Sequence, residues 1–260
     1  MNRSFLELRE QGDLYHKGIS VDCVVLAFYE GNLKVLLNKF NSYDKWMIPG
    51  GFVYKDESLD DAVRRHLKNR TGLKDVYLRQ FYTFGELERV NIPEHKEILR
   101  GKDIPEEKAL WYLDRFVSVG YYALVEYTKV QIYADPEDEI VKWFNLKDIS
   151  MLNLYGDHKS IIRRALDTIY YQIGFIPIGY ELLPNKFTMP ELRQVYEAFL
   201  GKNLDRRNFQ RKMLSIGLFE KLNETRKSGA HKSPNLYAFN KARYDEALEE
   251  GLQLVDWKFS

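Results

Sequence analysis

Five side chains between Gly51 and Leu73 have types and spacing that bear on chemistry: Glu57, Arg65, His66, Asn69 and Arg70. On a helix, His66, Asn69 and Arg70 stand at i, i+3 and i+4 and share one face. Carboxylates at that spacing would hold a hard divalent cation through oxygen ligands. This face instead offers an imidazole, a carboxamide and a guanidinium, and the fixed charge of Arg70 would repel a metal. Metal-assisted hydrolysis is not the chemistry to expect of it, so no catalytic residue, metal ligand or cofactor is assigned.

The elements that must position these residues can be read from local signals. Ser58 with Asp61 three residues on is helix-start chemistry, Asp60 and Asp61 suit the positive end of the dipole, and Thr71-Gly72-Leu73 reads as a glycine C-cap. Leu59, Ala62, Val63 and Leu67 give the buried stripe. Asp60 and Asp61 are also placed for i,i+4 pairs with Arg64 and Arg65. Upstream, Ile19 to Tyr29 and Leu33 to Phe40 are rich in β-branched and aromatic residues and flank Glu30-Gly31-Asn32, so the pair reads as a hairpin. Asp22 is a polar exception in the first strand, fit either for a loop hydrogen bond or for a ligand pocket. Asn38, Lys39 and Phe40 lead on toward Trp46. Val76 to Phe84, Phe116 to Tyr127 and Val141 to Leu146 read as further strands, and a helix among mixed strands implies an α/β sandwich.

Glu86 to Asp114 is longer than an ordinary connection, highly charged, and broken by Pro93 and Pro105, as lids, interface segments and solvated excursions all are. Helix-start residues place a short helix at Glu106 to Leu113. Arg115 stands at the mouth of the next strand, and guanidinium groups bind anions and sugar hydroxyls well. Asp157 reads as a helix cap and His158 as a first-turn polar residue, since no second His or Cys stands at metal-binding spacing. A helix follows over Lys159 to Gln172, and Gly174 to Lys186, with Pro177, Gly179 and Pro184, reads as a linker.

Composition bounds the rest. A chain of 260 residues with a net charge of +1 and 30% charged residues names no partner by its overall balance. The one cysteine, Cys23, lies in an apolar run and reads as a buried, inert thiol, which fits a reducing cytoplasm. Met1 to Tyr15 lacks an apolar signal core, and runs such as Cys23 to Tyr29 are too short to span a bilayer, so neither export nor a membrane partner is expected.

Charge concentrates instead near the C-terminus. Thr188 with Glu191 forms a capping box, Phe187 and Leu192 its hydrophobic staple, and Gly201 ends that helix. Asp205 then caps a second helix in which Phe209 and Met213 face inward while Arg206, Arg207, Asn208, Gln210 and Arg211 are left for a partner. Leu218 to Leu222 and Leu236 to Phe239 read as a hairpin whose loop carries Arg226, Lys227, His231 and Lys232. From Lys202 to Lys232 there are nine Lys or Arg against three acidic residues, a surplus of six in a nearly neutral chain. Two helices and a wing with that charge make a winged helix-turn-helix for double-stranded DNA, phosphates being held by the cations and base edges read by Arg, Asn and Gln. The alternative is a small basic domain that binds protein.

Gly51 to Leu73 resembles the Nudix box, G-x5-E-x7-R-E-U-x-E-E-x-G-U, where U is a bulky apolar residue. Gly51, Glu57, Arg65, Leu67, Gly72 and Leu73 fall on the pattern, His66, Asn69 and Arg70 replace its three helical glutamates, and Trp46 to Val53 resembles the usual lead-in. Together the two halves resemble the Nudix-related bacterial transcription regulators. That resemblance implies an α/β Nudix sandwich over residues 1–173, followed by a winged helix-turn-helix domain over 174–260. It implies a dimer on palindromic operator DNA and a small-molecule effector, ADP-ribose or a pentose, for which the lost glutamates favour a sugar or sugar derivative. Asp22, Asn38, Phe40, Trp46, Gly51, Arg70, Glu86 and Arg115 are the candidate effector contacts, and the expected role is a repressor in sugar or related metabolism. The competing reading is a divergent Nudix hydrolase in which Glu57, Asp60 and Asp61 rebuild a metal site.

Overall fold

The computed structural model describes residues 12–74, 76–89, 92–99, 113–133, 139–175, 178–226 and 233–250. The chain divides into two compact units, one of residues 1–26 and 34–165, the other of 27–33 and 166–260.

The first unit is built on a six-stranded sheet in the spatial order Tyr77–Phe84, Val117–Glu126, Tyr15–Tyr29, Asn32–Phe40, Glu139–Asn145, with Gly50–Tyr54 also paired to Tyr15–Tyr29. Strand β1 (Tyr15–Tyr29) is buried without a break from Val21 to Phe28, which explains why its sequence is a continuous apolar run rather than an alternating one. It turns back through Glu30 and Gly31, both at positive φ, into β2 (Asn32–Phe40), the backbone twist that a tight hairpin requires. Strand β3 (Gly50–Tyr54) runs antiparallel to the first half of β1, with Asp22 opposite Gly50 and Val21 opposite Gly51. Strands β4 (Tyr77–Phe84) and β5 (Val117–Glu126) pair antiparallel, and β6 (Glu139–Asn145) closes the other edge against β2.

Helix α1 (Leu59–Thr71) follows β3 and starts and stops where its sequence says. Ser58 Oγ accepts from the Asp61 amide at 3.1 Å, and Gly72 ends it at φ 69°, with Ala62, Val63 and Leu67 buried beneath. The expected pairing of Asp60 and Asp61 with Arg64 and Arg65 gives way to other partners. Arg65 binds Glu57 and the Phe52 carbonyl, and Asp60 accepts from the Tyr121 hydroxyl at 2.7 Å, because β3 and β5 bring better-placed groups to that face. Helix α2 (Ile92–Leu99) drops Ile98 into a cluster with Tyr15, Tyr43 and Phe116, against which Phe40, Phe52, Tyr54 and Tyr155 pack. The helix expected at Glu106 to Leu113 lies almost wholly outside the described residues. Helix α3 (His158–Gln172) follows β6 after a turn of 3-10 helix over Leu146–Met151.

In the second unit the expected linker contains a helical turn, α4 (Gly179–Leu182). Gly179 there packs so close to Leu192 that a Cβ would lie 2.3 Å from its methyl carbon, and Tyr180 stacks on Tyr244 at 4.0 Å. Those contacts fold the segment where Pro and Gly content alone reads as loop. Helices α5 (Met189–Leu200) and α6 (Arg206–Ser215), the hairpin β7 (Phe219–Thr225) and β8 (Asn235–Phe239), and α7 (Lys241–Glu250) complete it. Phe187 exchanges both backbone hydrogen bonds with Tyr237 and packs on Phe239 at 4.9 Å, tying the start of α5 to the hairpin. Among the described residues no helix is long and apolar enough to cross a membrane.

Candidate effector cleft and DNA-binding face

Two buried polar clusters meet at Gly50, where β3 begins. In the first, Glu139 at the start of β6 accepts from Asn38 Nδ2 at 2.7 Å and from Arg70 Nε at 3.0 Å, both on Oε1. Three elements supply the three groups: β2, α1 and β6. Arg70 also reaches the Gly50 carbonyl at 3.5 Å, a long contact. All three residues are buried, so the guanidinium is neutralised inside the unit rather than offered to solvent.

In the second, Arg89 follows β4 in a 3-10 turn over Leu87–Arg89 and turns inward. It donates to Asp157 at 3.0 and 3.2 Å, to the Phe116 carbonyl at 2.9 Å, and to Asp22 at 3.5 Å. Asp22 also accepts from Ser118 Oγ at 2.5 Å. His158, expected as an ordinary first-turn residue, is buried; its Nδ1 accepts the Ile48 amide at 3.0 Å while Nε2 stands 3.8 Å from Asp22. Asp157 begins α3 through its backbone carbonyl and gives its carboxylate to Arg89. A Cβ on Gly50 would lie 2.4 Å from the Val21 carbonyl and 2.7 Å from Asp22 Oδ1, so only glycine lets the two clusters approach.

The box face itself is settled by similar contacts. Glu57 receives Arg65 at 2.9 and 2.5 Å and the Tyr54 amide at 2.8 Å, and Arg65 lies over the Tyr54 ring. That pair clamps the loop to the helix and is not a metal site. His66 fits under Gly51, where a Cβ would fall 2.3 Å from the imidazole, and its Nε2 must donate to the Phe52 carbonyl at 2.9 Å. Burial, then the charges of Arg65 and Arg70, pull the His66 pKa down to about 3, although the residue as a whole is only half-buried. Asn69 is exposed. A divalent cation is implied by the box pattern, but this donor set does not fit one: a neutral imidazole already donating, an exposed amide and a paired guanidinium. Among the described residues no group of three or more His, Cys, Asp or Glu could hold a metal. Cys23 is buried, and burial and the neighbouring Asp22 hold its thiol protonated.

Of the other candidate contacts, Gly51 lies beside the first cluster, and Trp46 packs edge-on to Phe144 at 4.6 Å under the Lys39 ammonium. Phe40 belongs to the aromatic cluster under α2, a packing position and not a polar contact. Glu86 is exposed, and Arg115 is exposed with Nη1 on the Gly85 carbonyl at 2.9 Å, so neither belongs to the buried clusters. Sequence reading missed Glu139 and Arg89. The one available signal for Glu139 is an acidic residue entering an apolar strand; Arg89 sits in a charged stretch with none.

On the second unit, Asp205 Oδ1 accepts the Asn208 amide at 2.8 Å and starts α6. Phe209 and Met213 are buried, while Arg206, Arg207, Asn208 and Arg211 are exposed and Gln210 is half-buried. Arg211 donates to Asn208 at 3.0 Å. Arg226, expected as a wing contact, has partners within the unit. Its guanidinium closes on the Glu191 carboxylate and donates to the Lys186 carbonyl at 2.9 Å, because the root of the hairpin brings it back against the start of α5. Lys227, His231 and Lys232 lie outside the described residues.

A sheet carrying the box helix, joined to two helices and a hairpin with a cationic outer face, defines a class. The chain belongs to the Nudix family: the NUDIX domain matches residues 17–165, and the NrtR DNA-binding winged helix domain matches residues 179–239. At the level of individual proteins, it is 26% identical over 248 residues to the ADPR responsive transcriptional repressor NtrR of Acinetobacter baylyi, covering 94% of this chain and 90% of that one. It is also similar to Shewanella oneidensis NrtR, with a TM-score of 0.69 at 27% identity over 87% of this chain and 96% of that one. The same protein complexed with a 27mer DNA gives 0.68 at 27% identity, over 87% and 95%. A MutT/nudix family protein from Enterococcus faecalis, at 24% identity and a TM-score of 0.64 over 86% and 88%, shares the fold.

Proposed function

We propose that this protein is a ligand-responsive transcriptional repressor whose Nudix-type domain senses ADP-ribose or a related sugar derivative without hydrolysing it. The observation that carries the reading is the Arg70–Glu139 pair: where the box pattern calls for a metal-binding glutamate, a guanidinium stands at 3.0 Å from a carboxylate and is buried with it. The same chain carries an NrtR DNA-binding winged helix domain with exposed cations on α6. The names of the Acinetobacter and Shewanella relatives, an ADPR responsive repressor and a DNA complex, support the choice of effector and of partner. One winged helix reads only a few base pairs, so useful specificity calls for a homodimer on a palindromic operator, with half-sites about one DNA turn or a multiple apart. The regulator acts in the cytoplasm, on genes of sugar or related metabolism.

Calorimetric titration of ADP-ribose with and without operator duplex, at fixed salt, tests the coupling. The effector should change operator affinity by about 5- to 150-fold, and linkage requires DNA to change effector affinity by the same factor. Equal affinities in the two titrations would make the Nudix-type domain a scaffold. Incubation with ADP-ribose and Mg2+ or Mn2+ should give no turnover near ordinary enzyme rates, about 1 per second or more.

A further inference from the structure

Asn38 has four polar groups, and three of them are fixed. Its backbone amide donates to the Met47 carbonyl at 2.8 Å, its carbonyl accepts the Met47 amide at 2.7 Å, and Nδ2 donates to Glu139 at 2.7 Å. The fourth, Oδ1, is buried with no donor among the described residues. Rotating the amide does not help, because Glu139 is an acceptor and Oδ1 would then face a carboxylate. A fully buried acceptor left without a donor is costly, and native structures rarely keep one without a use. Beside it, Arg70 has Nε on the same Glu139 oxygen and Nη1 on the Gly50 carbonyl, and a guanidinium with five N–H donors keeps donor capacity beyond these two contacts. The amide and the guanidinium share one carboxylate oxygen, so an unmet acceptor and spare donor capacity belong to the same cluster.

We propose that Asn38 Oδ1 and the Arg70 guanidinium form a hydroxyl-recognition point, at which an O–H of the effector's sugar donates to Asn38 and accepts from Arg70. A hydroxyl satisfies both demands with one group. An ammonium or amide N–H could serve the acceptor but not the donor, and an anion the donor but not the acceptor. Glu139 then has a double part: it fixes which end of the Asn38 amide faces outward, and it neutralises Arg70 so that a neutral sugar, not a phosphate, is the group favoured there. The proposal rests on the reading of this domain as a sensor.

The test is calorimetry on the full chain with ADP-ribose, D-ribose and L-arabinose, followed by analogues of whichever binds that each lack one hydroxyl. Removing one particular hydroxyl should weaken binding to the parent protein by about tenfold or more, and should leave the affinity of Asn38→Leu unchanged. Asn38→Leu itself should bind the complete ligand about tenfold or more weakly. If that variant fails to fold by thermal melting, the analogue series on the parent protein decides, and a series with no sensitive hydroxyl overturns the proposal. Full affinity in a folded Asn38→Leu also overturns it, while the sensor reading stands because the parent binds. If none of the three sugars binds the parent, the sensor reading fails, and this inference with it.

Discussion

Helices α1 and α6 both carry arginines, and the two sets do opposite things. On α1, Arg70 is drawn down onto Glu139, Arg65 onto Glu57, and the ring of His66 is kept neutral between them. On α6, Arg206 and Arg207 are exposed and Arg211, among the described residues, meets only the neutral Asn208. Residue type alone therefore says little about whether a cation is available to a ligand. What decides is whether a neighbouring strand delivers a carboxylate at hydrogen-bond distance, as β6 does for α1 and no described strand does for α6. A buried pair has its charge spent on its partner, whereas an open set of guanidinium groups gives long-range attraction to a polyanion.

The largest effect should come from breaking the α1 pattern. Glu139→Ala leaves Arg70 buried without its counter-ion and should destabilise the Nudix-type unit by about 3 to 5 kcal/mol in urea unfolding. Replacing both partners, Arg70→Met with Glu139→Leu, should recover most of that loss. A single variant as stable as the parent would show that the pair is solvated and that the contrast drawn above is false.

Next comes the α6 face. Arg207→Ala should cost about 1 to 3 kcal/mol in operator binding and relax sequence preference, while Arg206→Ala should flatten the dependence of log affinity on log salt by about one unit. Arg226→Ala is the control within the same unit, since its charge is already engaged by Glu191, and its salt slope should match the parent. Equal flattening by the Arg206 and Arg226 variants would refute the assignment of Arg226 to the hairpin root.

The third effect is on pH dependence. His66 has its folded pKa lowered from 6.5 to about 3. The unfolded chain then binds the proton more readily, so the contribution of the neutral ring is complete above about pH 6.5 and is lost as pH falls from there toward 3. His66→Gln should remove that slope from the stability curve of the unit, and an unaltered acid limb measured by denaturant titration would mean the ring is protonated freely in the folded state.

Much of this was legible from sequence where cause and effect lie close along the chain. Ser58 at α1, the Thr188–Glu191 capping box, Asp205 at α6 and the glycine stops at 72 and 201 all act within four residues, and all stand where the local chemistry puts them. The box frame and the basic helix were also visible. The clusters at Gly50 were not, since Arg70 finds Glu139 sixty-nine residues on and Arg89 finds Asp22 sixty-seven residues back. Asp22 announced itself as a polar residue in an apolar strand; nothing named its partner. Arg226 shows the same divide, because its position in a basic loop is local information and its contact with Glu191, thirty-five residues away, is not.

Glu191 itself serves two masters. One oxygen, Oε2, accepts from the Thr188 amide at 2.7 Å and its hydroxyl at 2.9 Å, and the other takes Arg226. Anyone grafting a foreign wing onto this scaffold, or recombining it with a relative's, would therefore be exchanging half of a helix start as well. A transplanted hairpin without a cation at the position of Arg226 would arrive with its root unfastened, so the heritable module is the hairpin together with the first turn of α5.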